Sequence, residues 1–262
     1  GTLTNGPTWG TGQIGGAVTF DGTNDYVTAG SSSALDFSTN TYTLSAWIYP
    51  TAIPGLNQAV YHDSIFDRWD HGCTGHGYAF GITNAYTFNG PTELEVRTSC
   101  GGSSTSIANG AAGVLTNNQW YHIVAVANAG IVTFYVNGTP YAATGNVTDS
   151  PLTYGGPAVI GNDSTNGSPF TGSIDEVRVY SRPLSPAEVM QLYRATAPGG
   201  LDYGLVGNWT FNGTDLFGTK AYDRSGAGNT GTLTNGPSVT PGKVGQALSF
   251  DGVDDYMTTA ST

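Results

Sequence analysis

WYHIVAVANAGIVTFYVNG, residues 120–138, reads as two strands folded back on each other. Residues 120–127 and 131–138 are runs of β-branched and aromatic residues, and Asn128-Ala129-Gly130 between them is a turn. Asn137-Gly138 closes the second run with the dipeptide that favours tight hairpin turns. Working outward, TLSAWIY (43–49) sets Leu44, Ala46 and Ile48 on one face against Ser45, Trp47 and Tyr49 on the other. SIDEVRVY (173–180) alternates Ile174, Glu176, Arg178 and Tyr180 against Asp175, Val177 and Val179. Strands at short spacing with Gly/Asn turns predict an all-β sandwich.

Composition agrees. Hydrophobic residues make up 38% of the 262 residues, enough for a core, while only 10% are charged, against about 25% in ordinary domains. The polar surface must then be built from Thr, Ser, Asn and Gly, as in secreted and cell-surface β-proteins. A net charge of −11 excludes phosphate-rich partners such as nucleic acid, and anionic membrane surfaces. No apolar run approaches the roughly 20 residues of a membrane span. A start at Gly1 without a leader reads as a mature or excised fragment. Cys73 and Cys100 are expected to form a disulfide in an exported chain, contributing roughly 3–4 kcal/mol; the alternative is two buried thiols. Sequons at Asn137, Asn146, Asn162, Asn166, Asn208 and Asn212 could carry sugar, although Asn- and Thr-rich sequence produces such triplets by chance.

An internal repeat organises the chain. GTLTNGPTWGTGQIGGAVTFDGTNDYVTAGSS (1–32) and GTLTNGPSVTPGKVGQALSFDGVDDYMTTAST (231–262) align without a gap, with 17 of 32 positions identical and a period of 230 residues. SPAEVMQLYR (185–194) is the one convincing helix, with Ser185 as N-cap and Val189, Leu192 and Tyr193 on one face. Residues 195–203 then read as a linker. LVGNWTF (205–211) has strand character, with Leu205, Gly207, Trp209 and Phe211 on one face. The expected organisation is therefore a domain over 1–194 lacking its first strand, the linker, and the opening of a second copy over 204–262.

AVTFDGTNDYVTAG, LDFSTNTYTLSAWIYPT, NQWYHIVAVANAGIVTFYVNGT and FTGSIDEVRVYSRPLSPAEVMQLY, in this order, resemble the laminin G-like branch of the concanavalin A-like superfamily found in large bacterial surface and secreted proteins. The resemblance covers about residues 14–194, and again 204–262. It implies a two-sheet antiparallel jelly roll, with one short C-terminal helix and the start of a second copy.

The same resemblance implies a structural Ca²⁺ at Phe20–Asp25, held by Asp21, Asn24 and Asp25 and completed by Asp175. Ca²⁺ takes six to eight hard oxygens, and this turn supplies several. The alternative is a turn whose Asx side chains cap their own backbone. Residues 61–80 look like an elaborated loop tied through Cys73 to Cys100; the alternative is a ligand loop in which Tyr61 and Trp69 stack on a sugar ring while Arg68 and Asp70 bond its hydroxyls. A zinc site from His71, Cys73 and His76 has irregular spacing and is set aside. Glu93 and Glu95 share a strand face, but the longer acidic motif of the glucanases in this superfamily is absent, so no enzyme is expected.

Two functions compete. The first is a non-catalytic structural or adhesive repeat of an extracellular or cell-surface protein, with copies assembling into filaments by strand exchange. The alternative is a carbohydrate-binding module of a secreted polysaccharide-active protein, with glycans as partners.

Overall fold

The computed structural model describes residues 1–53, 62–69, 77–84, 92–98, 106–148, 151–163, 165, 167–196, 206–225, 227–242 and 245–259. The chain divides into two compact units, Gly1–Ala197 and Pro198–Thr262.

In the first unit the strands run β1 (Thr2–Thr4), β2 (Thr8–Thr11), β3 (Gly16–Asp21), β4 (Tyr26–Thr28), β5 (Tyr42–Pro50), β6 (His62–Arg68), β7 (Tyr78–Thr83), β8 (Glu93–Thr98), β9 (Ser106–Gly110), β10 (Tyr121–Asn128), β11 (Ile131–Val136), β12 (Thr139–Ala142), β13 (Val159–Ile160) and β14 (Thr171–Tyr180), followed by helix α1 (Pro186–Thr196). They form two seven-stranded sheets, ordered β1-β4-β13-β6-β7-β8-β9 and β12-β11-β10-β5-β14-β3-β2. The protein is an antiparallel two-sheet jelly roll, as its strand periodicity predicts.

The hairpin that opened the sequence reading forms about Ala129-Gly130, with Asn128 opposite Ile131. Both turn residues have positive φ, 49° and 85°, as do Asn137 and Gly138 in the next turn. Paired positive φ is the primed turn whose twist matches that of its strands. Leu44, Ala46 and Ile48 point into the core with Ile123, Ala125 and Phe134 of the same sheet, and meet Phe66, Tyr78, Phe80, Ile82, Leu94 and Val96 of the other.

The alternation expected in 173–180 is broken. A bulge lies between Asp175 and Arg178, and Glu176 at its centre has φ 51°. The extra residue changes parity, so Ile174, Val177 and Val179 all join the core although their spacing puts them on opposite faces of a regular strand.

Helix α1 begins in a capping box: Ser185 Oγ accepts the Glu188 N–H at 3.3 Å, and Glu188 Oε2 accepts the Ser185 N–H at 2.8 Å. It runs two residues beyond the expected end, to Thr196. Val189 and Leu192 cover Val124, Val126 and Tyr135 on the outer side of the second sheet. The Tyr193 ring stands 5.8 Å from Trp47. This explains why the face of β5 that the sequence leaves for solvent is buried at Ser45 and Trp47.

In the second unit, β15 (Leu216–Phe217), β16 (Lys220–Ala221), β17 (Gly231–Thr234) and β20 (Tyr256–Thr259) form one sheet, and β18 (Ser238–Pro241) pairs with β19 (Gln246–Ser249). Every pairing among the first 28 residues recurs 230 positions later: Leu3 opposite Val27 becomes Leu233 opposite Met257, and Trp9 opposite Val18 becomes Val239 opposite Leu248. The expected strand at 205–211 does not form: among the described residues 206–212 make no ladder. They are held by side chains instead, with Trp209 Nε1 donating to Asn229 O at 2.8 Å.

Candidate functional site

Residues 62–68 and 78–83 are strands, not the loop expected over 61–80. The polar residues of β6 alternate irregularly because a bulge falls between Ser64 and Phe66. Before it His62 and Ser64 lie opposite Thr83 and Gly81; after it Phe66 meets Phe80, and Asp67 lies opposite Ala79. Phe66, Phe80 and Ile82 are core, so His62, Ser64 and Asp67 belong to the outer face of the first sheet.

A buried charged network sits on that face. Gly81 lies opposite Ser64 on one side and Glu95 on the other, and a Cβ there would stand 2.6 Å from Cε1 of the His62 ring. Only a glycine lets the imidazole lie across the sheet. Its Nδ1 comes 2.9 Å from Glu95 Oε1, and Nε2 is buried without a hydrogen-bond partner among the described residues. Arg97 Nε donates to the same Glu95 oxygen at 2.6 Å. Turned about its amide, Asn109 brings its nitrogen 3.3 Å from Glu95 Oε2. The Arg97 guanidinium also lies 5.4 Å from the centroid of Trp69. Burial pulls Arg97 down to about 10, opposed by the charges of Asp67 and Asp163. Glu93, beside this network, is pushed up by burial and then by Glu95. Glu95, which shares a strand face with Glu93, is fully buried.

Of the expected ligand-contacting residues, Arg68 falls on the inner side opposite Tyr78. It donates to Asp36 Oδ1 at 2.7 Å and to Gly156 O at 2.9 Å, and is itself fully buried. Trp69 is buried beneath Arg97. Tyr61, Asp70, Cys73 and Cys100 lie outside the described residues.

The four expected calcium ligands do not converge. Asp21 Oδ1 accepts the Thr23 N–H at 2.7 Å and Asp25 Oδ2 accepts the Asp21 N–H at 3.0 Å, a self-capped turn. Asn24 contributes its carbonyl, which accepts from Asn5 Nδ2 at 2.9 Å. Thr171 is the residue opposite Asp21, so Asp175, four positions further along β14, lies roughly 13 Å away. There it accepts the Ile14 N–H at 2.9 Å and fastens the turn between β2 and β3. In the second unit Asp254 replaces Asn24, and Asp251, Asp254 and Asp255 each bring an oxygen within 4.8 Å of the others.

The network of His62, Glu95, Arg97 and Asn109 was not singled out from the sequence. Its signal was present in HDSIFDR, which fits a strand only if one residue is allowed to bulge.

Two seven-stranded antiparallel sheets, with a helix on the outer side of one, are the frame of a jelly-roll domain. The profile of the laminin G-type domains in the concanavalin A-like lectin/glucanases superfamily matches residues 21–190, and the chain belongs to that family. Domains of this family are typically binding modules. Among curated relatives, the adhesion G-protein coupled receptor V1 of Danio rerio is 28% identical over 105 residues; the match takes in 38% of this chain and 2% of the receptor. Among solved structures, domain 4 of AbnA, an extracellular arabinanase of Geobacillus stearothermophilus, in complex with arabinotriose, shares the fold with a TM-score of 0.52 and 22% identity, over 73% of this chain and 87% of that one. The binding domain of Paraclostridial Mosquitocidal Protein 1 gives a TM-score of 0.55 and 16% identity, over 98% and 65%. A pentraxin of Limulus polyphemus gives 0.51 and 16%, over 69% and 82%.

Proposed function

We infer that the chain is a non-catalytic adhesive or structural repeat of an extracellular protein. The observation that carries this is the in-register recurrence of both opening hairpins 230 positions apart. Duplication of whole modules suits a surface protein that multiplies contacts. The relationship to an adhesion receptor supports the same reading. Among the described residues no helix is long and apolar enough to cross a membrane. The finer form of the reading is assembly of copies by exchange of an opening segment, with a structural calcium at the acidic turn of the second copy. The test is adhesion: the immobilised chain should retain bacterial cells or host matrix above a scrambled-surface control. Failure to retain either would overturn it.

Glycan binding is a second reading, favoured by the arabinotriose complex of a protein with this fold and by the polar outer face around Glu95. A glycan array probed with the chain and with Glu95→Gln tests it. Hits that weaken in the variant support it, and an array without hits counts against it.

A further inference from the structure

The outer face of the first sheet carries a trough built on four adjacent strands, β6 to β9. Its floor is Ala79 and Gly81 of β7. Ser64 of β6 and Glu95 of β8 lie on either side of Gly81, and Asp67 and Arg97 on either side of Ala79. Asn109 of β9 stands opposite Glu95. The His62 ring leans over the floor, with Cε1 and Nε2 only 2.6 and 2.7 Å from where a Cβ on Gly81 would be. One end of the trough is closed and the other is not: His62 is 5% exposed and Ser64 and Glu95 are wholly buried, whereas Arg97 and Asn109 are half-buried.

Two polar atoms at the closed end ask for a partner. His62 Nε2 and Ser64 Oγ are buried and make no hydrogen bond among the described residues. Leaving a buried donor or acceptor unpaired is costly, so such atoms mark something that binds them. A serine hydroxyl both donates and accepts. Nδ1 of His62 stands 2.9 Å from Glu95 Oε1, out of hydrogen-bond alignment, and the carboxylate holds the ring proton on that side. Nε2 is then an acceptor in the neutral ring and a donor in the charged one. A hydroxyl serves both atoms in either protonation state. Charge narrows the ligand further. Asp67 and Asp163 act on Arg97 through their charges, and Glu95 is paired with the same guanidinium. Carboxylates therefore outnumber the arginine, and an anion entering the trough is repelled.

We propose that this trough binds the terminal residue of a neutral glycan, which enters past Arg97 and Asn109 and sets neighbouring hydroxyls against His62 Nε2 and Ser64 Oγ. The burial of His62 and Ser64 leaves no way out beyond them, which selects a chain end over an internal residue. Glu95 is a positioning residue. It fixes the imidazole, and is itself held by Arg97 Nε at 2.6 Å and the turned Asn109 amide at 3.3 Å. The groups that meet the sugar are thus ordered before it arrives, which lowers the cost of binding. Trp69 lies beneath the Arg97 guanidinium and is 6% exposed, so hydroxyl contacts and not ring stacking carry the recognition. The proposal rests on the reading of the chain as a glycan binder and names the site and the class of sugar.

The test presents the full 262-residue chain to an array of neutral oligosaccharides, arabinotriose and lactose among them, with sialylated and uronate-containing glycans for comparison. Hits among the neutral glycans are expected, at least ten-fold weaker in both Ser64→Ala and His62→Phe. Ser64 Oγ bonds nothing among the described residues, so Ser64→Ala should keep the parent's urea midpoint, which separates loss of the site from loss of the fold. Long-range ¹H–¹⁵N spectra should show the His62 Nε2 resonance, identified by its absence in His62→Phe, shifting to saturation with the strongest neutral hit. Hits that neither variant weakens, or an Nε2 resonance indifferent to the sugar, would put the glycan elsewhere and overturn this site alone. Hits confined to anionic glycans would overturn the neutral class. An array without hits would overturn the glycan reading and this site with it, leaving ordered water as the partner of the two atoms.

Discussion

Phe20 and Phe250 hold the same place in the two copies of the repeat, yet Phe20 is 2% exposed and Phe250 48%. Phe20 sits so tightly over Gly161 that a Cβ there would fall 2.3 Å from its ring. Identical local sequence therefore carries different energetic weight, set by which strands complete the core around it. Phe20→Ala should cost about 3–5 kcal/mol, and Phe250→Ala less than about 0.5 kcal/mol. Urea titrations of the two variants, followed by tryptophan fluorescence, measure the difference.

Arg68 was expected at a ligand and lies instead under the first sheet, bonded to Asp36 and Gly156 O. Removing one partner of a buried pair leaves the other uncompensated, at roughly 3–5 kcal/mol. Asp36 retains partial exposure, which places Arg68→Ala at the lower end. The variant should lose about 3 kcal/mol of stability in chemical denaturation, while any glycan binding by the folded fraction keeps its affinity. A binding defect without a stability defect would restore the ligand role.

The fold was legible because its strongest signals are local. The turns at Ala129-Gly130 and Asn137-Gly138 and the alternation of Leu44, Ala46 and Ile48 need no knowledge of the partner sheet. The site was not, and the reason is the bulge. One extra residue in β6 reverses parity between Ser64 and Phe66, so a buried strand with polar residues on its covered face reads as a loop. The bulge at Glu176 hides the common facing of Ile174 and Val177 in the same way. The calcium set failed for a different reason: sequence proximity to a strand says nothing of how far along it a neighbour lies, and Asp175 falls four positions from the partner of Asp21.

Asp63 is pushed up to about 8 by burial, and His122 is pulled down to about 4, by burial and then by Arg178. Their effects on stability have opposite signs. A carboxyl raised in the folded state holds a proton that the unfolded chain has lost, so stability falls as pH rises from about 4 to about 8. A histidine lowered in the folded state lacks a proton that the unfolded chain binds, so stability rises as pH climbs from about 4 to about 6.5. The two slopes oppose each other below about pH 6.5, and only the Asp63 slope remains above it, at most about 1.4 kcal/mol per pH unit. Thermal melts should therefore decline between pH 6.5 and 8. Asp63→Asn should flatten that decline and raise the melting temperature at pH 8. A decline that persists unchanged in the variant would rule out Asp63 as its source.

Gly81→Ala addresses the network on the outer face. The new methyl would meet His62 Cε1 at 2.6 Å and Asp63 O at 2.3 Å, and one of those contacts is backbone, which yields little. The strand must shift or the imidazole must leave Glu95, and overpacking of this kind costs roughly 1–3 kcal/mol. Adding His62→Ala to Gly81→Ala should recover the part due to the ring and not the part due to the carbonyl. A double-mutant cycle in urea reads the coupling, and strict additivity would mean the ring does not lean on Gly81.

The acidic turns of the two copies differ at one ligand position, Asn24 in the first and Asp254 in the second. Asp251, Asp254 and Asp255 bring three carboxylate oxygens within 4.8 Å, half of the smallest coordination shell Ca²⁺ accepts. The Val253 N–H holds the Asp251 carboxyl below the usual carboxylate range, which keeps it ionised at neutral pH. Three carboxylates and open coordination elsewhere suit a weak extracellular site, with Kd of order 10⁻⁴–10⁻³ M. Terbium luminescence in a Ca²⁺ competition should report one site on the whole chain, lost in Asp254→Asn. Asn24→Asp should add a second, since the first turn has the same backbone and lacks only that carboxylate. Luminescence indifferent to both substitutions would mean that the turns are capped by their own N–H groups and hold no metal.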